Sequence, residues 1–418
     1  MQFWFYIAGL AMDDGDGRRR LALRNGKLFA LVTWILLAPV AVHATAIELT
    51  RGDALPFSLT DNRIIVPVTV NDRGPYQFVF DTGGSNILDL GVARELGLAL
   101  EGASAAQGAG AASQQAWTTS VVHATVGPVE MRSQTFRVLS LEAIRRAIGF
   151  DRLDGIVGRE LIDRFVVDID YGSSTLQFID RTRWTPSPAW RGALPLTFVD
   201  GIPAVQATLD GISGTFIIDT GDRSSLTLFG PFVKRHMLRE RYQRSVHAVT
   251  GWGVGGPIPA DVTRVTNFSF GAYEVRQPVT RMPTLETGGF AMSEAAGSIG
   301  TGILKRFHVV FDYRSKRMLL APNAAYRAPD PADRSGLWLS LADGGFRVMS
   351  VVDGSPAAVS GIRVDDIVTA VDGVAAVDLF LVTLRERLKT SEAGSSVRLK
   401  LKTINGERQV VLTLRDLI

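Results

Sequence analysis

The sequence predicts a mainly β chain built from one lobe written twice, followed by a smaller unit of different style. Three observations carry this. The stretch Phe78-Val79-Phe80-Asp81-Thr82-Gly83 recurs as Phe216-Ile217-Ile218-Asp219-Thr220-Gly221. Asp81 and Asp219 stand 138 residues apart, and the tyrosines that close residues 164–171 and 306–313 (Tyr171 and Tyr313) stand 142 apart. A near-constant offset marks a duplicated unit. Residues 337–418 share none of that pattern.

Each copy of the repeat is a short apolar run, read as a buried strand, that delivers a carboxylate, a threonine and a glycine where the backbone turns. An ionised Asp at the end of a buried strand is costly unless it is paired or hydrogen-bonded. Two brought together repel, share one proton and form an acid/base pair.

Taken in order, residues 18–46 read as an export signal. Arg18, Arg19, Arg20, Arg24 and Lys27 form its basic region, residues 28–42 the apolar stretch, and Ala44-Thr45-Ala46 the small-residue cleavage site. The apolar stretch is shorter than the roughly 20 residues of a membrane span. An uncleaved anchor and twin-arginine export are the alternatives, with Met1 or Met12 as the start. The expected location is the periplasm or cell envelope of a bacterium, with the chain secreted or N-terminally anchored.

The first lobe spans 47–183. Strands at 64–70 and 76–80 flank the turn-rich residues 71–75, and a short helix at 92–96 stops at Gly97. Residues 102–116 are small and flexible. Strands follow at 121–126 and 136–139, then a helix behind Ser140 with Leu141, Ile144 and Ile148 on one face, ending at Gly149. Gly155-Ile156-Val157-Gly158 completes the pattern. A Pro-rich linker covers 184–194, and the second lobe, 195–323, repeats the order. Strands at 204–209 and 215–218 lead to Asp219, Pro231 opens a helix, 251–256 form a glycine-rich tip, and Gly297-Ser298-Ile299-Gly300 closes the set. A second linker, 324–336, precedes the last unit. That unit has short strands at 345–352 and 396–403, an amphipathic helix at 379–389 and an Asn405-Gly406 hairpin turn.

Composition narrows the chemistry. Of 418 residues, 46% are hydrophobic and 21% charged, which is globular. Net charge is +3, and residues 1–46 supply +2, so the remainder has no basic stripe for nucleic acid. The absence of cysteine excludes disulfides, a thiol nucleophile and zinc-thiolate sites. The five histidines have no metal-ligand spacing, no Gly-x-Ser-x-Gly elbow occurs, and Pro257 and Pro259 forbid the helix that residues 251–256 would need to bind a dinucleotide. No cofactor and no metal are expected.

The paired Asp-Thr-Gly motifs, each followed by an apolar-Gly segment (Ile156-Val157-Gly158; Ile299-Gly300), resemble the two lobes of an aspartic peptidase. Their shortness resembles retroviral-type domains fused in tandem rather than pepsin. The resemblance covers about residues 47–323. It implies two pseudo-twofold-related acid-protease β-barrel lobes with a central cleft, where catalytic Asp81 and Asp219 hold one water. Thr82, Gly83, Thr220 and Gly221 would support the loops. Segments 107–115 and 251–256, with Gly108, Gly110, Gly251, Trp252 and Gly253, would be flaps over an extended polypeptide substrate.

The chain departs from the family at Gly84 and Asp222, where Ser, Thr or Ala is usual. The missing hydroxyls and the Asp222 carboxylate both disfavour ionisation of the pair, so a pH optimum less acid than pepsin's is expected, with Arg223 as a counter-ion for Asp222. Ser298 stands where an apolar residue is expected.

Gly354-Ser355-Pro356-Ala357-Ala358, Ser360-Gly361-Ile362, Asp365-Asp366-Ile367-Val368 and Val371-Asp372-Gly373 resemble a PDZ domain of the bacterial envelope-protease type. This small α+β domain, 337–418, implies that a protein C-terminus adds as a strand along 337–341 beside helix 379–389. Gly336, Leu337, Trp338 and Leu339 would line the groove, with the Gly336 and Leu337 amides as the carboxylate loop. A domain that only packs against the peptidase is the alternative. Together these features predict an exported aspartic endopeptidase, monomeric because both Asp residues lie on one chain, with a PDZ domain that recruits or gates substrate. A non-catalytic peptide-binding envelope protein and a two-chain dimer are the competing readings.

Overall fold

The computed structural model describes residues 45–50, 52–186, 190 and 192–418. The expected export segment therefore lies outside the described residues, except Thr45 and Ala46. Among the described residues no helix is long and apolar enough to cross a membrane.

In the first half, strand Arg63–Val70 pairs antiparallel with Arg73–Asp81, and Gly155–Gly158 runs parallel to the latter with Gly158 opposite Asp81. The second half uses the same register. Ile202–Leu209 pairs with Ile212–Asp219, and Gly297–Gly300 runs parallel with Gly300 opposite Asp219. These central strands are apolar because they are covered on both faces: Phe78, Phe80, Phe216 and Ile218 are all inaccessible to solvent. Gly158 is required by close approach, since a Cβ there would overlap the carbonyl of Asp81.

Equivalent strands from the two halves also pair with each other. Val166–Asp170 and Phe307–Asp312 run antiparallel at the centre of a six-stranded sheet, which Thr175–Ile179 and Arg317–Pro322 extend on either side. One hydrophobic core, including Phe80, Phe178, Phe216 and Phe307, continues through both halves.

The expectation of β-barrel lobes is overturned, because the sheets are not closed into barrels. The second-half sheet runs from a free end at Val246–Gly253 to another at Tyr273–Arg276. The first-half sheet likewise runs from Ala46–Leu49 to Glu101–Ala106, although its long strands Gln114–Val126 and Val129–Leu139 also pair with each other. Closure needs matched tilt and stagger around a complete ring. Apolar alternation locates strands but does not encode that long-range pairing.

The C-terminal unit has its own core of Leu339, Val348, Leu399 and Leu401, closed by Leu381, Leu384 and Leu388 of helix Leu381–Thr390. Its five main strands follow the order Leu337–Ala342, Gly345–Val351, Ile367–Val371, Ser396–Thr403, Gly406–Thr413, which leaves Leu337–Ala342 on an edge.

Candidate active site

The two repeated motifs meet where the halves join. The Thr82 amide donates to Thr220 Oγ1 at 2.9 Å, and the Thr220 amide donates to Thr82 Oγ1 at 3.1 Å. Each hydroxyl then donates across the join, Thr82 Oγ1 to the Ile218 carbonyl at 3.2 Å and Thr220 Oγ1 to that of Phe80 at 3.1 Å. Four crossed bonds with no water access fix the loops against each other, and both threonines are fully buried.

Within each loop the carboxylate accepts two amides. Asp81 Oδ1 takes those of Gly83 and Gly84 at 2.8 and 3.0 Å, and Asp219 Oδ1 takes those of Gly221 and Asp222 at 2.8 and 3.0 Å. The Asp81 carboxyl lies over the Cα of Gly221, where any Cβ would collide with it and would also come within 3.2 Å of Asp219 Oδ1. Asp219 Oδ2 is buried and has no hydrogen-bond partner among the described residues. Asp81 and Asp219 are only 2% and 1% exposed, so the site is shut in this state.

Burial raises both carboxyls above the ordinary Asp value. Asp219 is raised well above it, because after burial the charges of Asp81 and Asp222 act in the same direction. Asp222 moves the other way. Burial alone would raise it, but the Arg281 guanidinium and hydrogen bonds from Ser224 and Thr227 hold it low.

The Arg281 pairing corrects the expected counter-ion. Arg281 Nη2 reaches Asp222 Oδ1 at 2.9 Å, and both side chains are buried. Thr227 Oγ1 donates to Asp222 Oδ2 at 2.9 Å and accepts from Arg281 Nε at 2.7 Å. Ser298 Oγ donates to the same Oδ2 at 3.5 Å, so its polarity serves Asp222. Arg223 instead crosses the join to Asp61 at 2.6 Å, and Asp61 also holds the fully buried Arg63 at 2.7 Å. Burial would raise Asp61, yet these guanidinia hold it far below the carboxylate range.

Sequence reasoning did not single out Asp61, Arg63, Arg281 or Tyr313 for the site. Tyr313 donates to the Thr82 carbonyl at 3.3 Å. An arginine opening an otherwise apolar strand run was the one available signal, at Arg63.

The glycine-rich tips meet above the motifs. The Gly110 amide donates to the Val254 carbonyl at 2.8 Å, and Ala112 to that of Gly255 at 3.1 Å. Gly108 is drawn in through its carbonyl, which accepts from Gly289 at 3.5 Å. Gly251, Trp252 and Gly253 lie in strand Val246–Gly253, just before the tip. Each tip reaches across: Ala109 packs with Ile217, Phe229 and Phe290 of the second half, and Val254 with Ile144, Ile156 and Leu141 of the first.

In the C-terminal unit, Gly336, Leu337, Trp338 and Leu339 lie at or on the edge strand Leu337–Ala342. The Gly336 amide donates to Asp333 Oδ1 at 2.6 Å and that of Leu337 to Ser335 Oγ at 3.1 Å. The expected carboxylate loop thus has these two donors satisfied by its own chain. Among the described residues no cluster of His, Cys, Asp and Glu is arranged to hold a metal ion.

Two family models agree with the motifs. The aspartyl protease family model matches residues 66–161, and the PDZ domain model matches 347–403. No curated protein matches the chain. Among solved structures, the aspartic proteinase from Irpex lacteus matches with a TM-score of 0.44 and 16% identity, over 67% of this chain and 100% of that one.

Proposed function

We propose that this chain, an aspartic-type hydrolase with an aspartic-protease domain and a separate PDZ domain, is an exported endopeptidase that works as a monomer. The two halves are read as tandem, pseudo-twofold-related lobes that each give one acid to a shared dyad. The crossed threonine bonds carry the reading, because they hold two buried carboxyls at one join and serve no charge of their own.

Asp219, whose surroundings favour its proton more strongly, is the acid that polarises the scissile carbonyl. Asp81 is the base that takes a proton from the attacking water. The water oxygen bonds to the carbonyl carbon while the proton from Asp219 passes to the carbonyl oxygen, giving a tetrahedral diol. The C–N bond then breaks, Asp81 gives its newly acquired proton to the leaving nitrogen, and a diol hydroxyl returns a proton to Asp219. The Gly108–Gly110 and Gly251–Gly253 regions act as flaps over the substrate. The PDZ domain recruits or gates polypeptide, and the N-terminal segment directs export to the periplasm or envelope.

Digestion of a diverse peptide pool tests this. Asp81→Asn and Asp219→Asn should each lower cleavage on the order of 10³-fold or more. Cleavage that survives either substitution removes the dyad, and a wild type that binds peptides without cutting them marks a peptide-binding protein.

A further inference from the structure

A PDZ domain takes its peptide between an edge strand and the neighbouring helix. Here the peptidase fills that groove. Helix Glu142–Ile148 lies against edge strand Leu337–Ala342. Its last turn leaves carbonyls without intrahelical partners, and Arg385 on helix Leu381–Thr390 takes those of Ala147 and Ile148 at 2.5 and 2.7 Å. The same guanidinium bonds the Leu339 carbonyl on the edge strand, the kind of group that an added peptide strand pairs with. Leu381 packs on Gly149, where a Cβ would come within 2.9 Å of it, and Val382 packs against the cluster of Ile144 and Ile148. Arg146 and Asp343 stand 4.0 Å apart at the rim.

The docked helix is also a wall of the candidate active site. Ile144 and Ile148 line a small apolar pocket with Val79, Ile156 and Asp81, and Val254 from the second flap packs into the same cluster. That flap's strand Val246–Gly253 touches the PDZ strands Leu337–Ala342 and Gly345–Val351. The domain therefore grips two sides of a cleft whose acids are shut from solvent.

Beside the groove is a cavity of about 170 Å³, lined by Leu337, Trp338, Val352, Arg223, Arg385 and Lys389 among others. Arg385 and Arg223 sit over the Trp338 ring at 4.3 and 5.8 Å. Trp338 Nε1 and Arg385 Nε are buried donors with no partner among the described residues. These two donors call for an acceptor, and Leu337, Val279 and Val352 offer aliphatic surface beside them. An apolar residue ending in a carboxylate therefore suits the wall formed by Trp338 and Arg385; Asp330, Asp333 and Ile418 complete the rest of the lining.

We propose that the PDZ domain is a latch holding the peptidase closed, and that a polypeptide with an aliphatic C-terminal residue and a free carboxylate opens it by taking Arg385 from helix Glu142–Ile148. The latch rests on the peptidase reading given above. Binding at the groove releases the helix and the second flap together, which exposes Asp81 and Asp219.

The chain has no cysteine, so Arg146→Cys with Asp343→Cys creates a single reactive pair for a short bis-maleimide in the full-length protein. A pool of randomised peptides ending in Val, Ile or Leu as free acids should cut the cross-link yield at least fivefold, and the amidated pool should not. The cross-linked chain should hydrolyse fluorogenic peptides at least tenfold more slowly than either single variant carrying one maleimide. Val382→Asp, outside the PDZ core, should raise hydrolysis and abolish the response to the free-acid pool. Equal rates with and without the cross-link, or a yield indifferent to the free acids or lowered equally by the amides, would overturn the latch. If neither wild type nor Val382→Asp cuts any peptide, the peptidase reading fails. The cross-link competition, which needs no catalysis, still decides the latch.

Discussion

The loop carrying Asp81 and the loop carrying Asp219 make matching bonds yet sit in different electrostatic surroundings. Both present two amides to one carboxylate oxygen, and both reach across the join through a threonine. They part at the next residue. Gly84 adds no side chain, whereas Asp222 adds a buried carboxylate tied to Arg281, Thr227 and Ser298. The uncharged bonds that set position are thus duplicated, and the charges that bias the proton are one-sided. Asp222 helps to push Asp219 well above the ordinary value, and Asp81, which faces Asp222 as a weaker influence, is raised less clearly.

Removing the one-sided cation should have the largest effect on stability. Arg281→Met strands Asp222 in the interior without its partner, and breaking a buried pair costs about 3–5 kcal/mol. In wild type Asp222 is depressed, so its stabilisation is present above the unfolded value of 3.8 and is lost as pH falls through the folded value. In the variant Asp222 is raised instead, so its penalty appears as pH climbs above 3.8. Denaturant melts should therefore show the gap between the two proteins widening from acid to neutral pH. A gap independent of pH would mean that Asp222 does not depend on Arg281.

The duplicated part predicts equality. Thr82→Val leaves the Thr220 amide and the Ile218 carbonyl without their partner, and Thr220→Val does the same to Thr82 and Phe80. Each should cost about 2 kcal/mol or more, since buried groups lose their bonds. The two losses should agree to within about 0.5 kcal/mol. Strongly unequal losses in chemical denaturation would break the match between the loops.

These contrasts also show what a sequence can carry. The Asp-Thr-Gly loops were legible because a short strand, a carboxylate and a glycine are contiguous, and their repetition signalled that two must be considered together. Arg281 was not legible. It lies 59 residues from Asp222, on another strand, and Arg223 was the nearer choice along the chain. Sheet closure failed for the same reason, since alternation reports a strand's faces but not its neighbours across the sheet. Ser298 reads in sequence as a polar exception, and only the fold supplies its partner. The periodicity of helix 379–389 located its core face through Leu381, Leu384 and Leu388, while Arg385, which grips the peptidase, reads in sequence as one more solvated charge.

The proton bias can be tested by Asp222→Ser. Removing that carboxylate takes away one cause of the raised Asp219 and Asp81, and the remaining Arg281 charge pushes the same way. The basic limb of the pH–rate profile, where the dyad loses its shared proton, should move to lower pH. The double variant Asp222→Ser with Arg281→Met removes both charges and should shift less than the single one. An unmoved profile in the single variant would show that Asp222 is electrically silent at the dyad.

Ser298→Ala should have the smallest effect. The Ser298 hydroxyl is 3.5 Å from Asp222 Oδ2, a long contact, and the same oxygen keeps its 2.9 Å bond from Thr227. No acceptor is left bare, so the loss should be about 0.5 kcal/mol, at the low end for a hydrogen bond. Ala also suits the packed strand Gly297–Gly300, where the side chain has no solvent access. A loss above about 2 kcal/mol in denaturant melts would mean that Ser298 carries Asp222 as much as Thr227 does. The one-sided network would then be anchored on the strand beneath Asp219 rather than on Arg281.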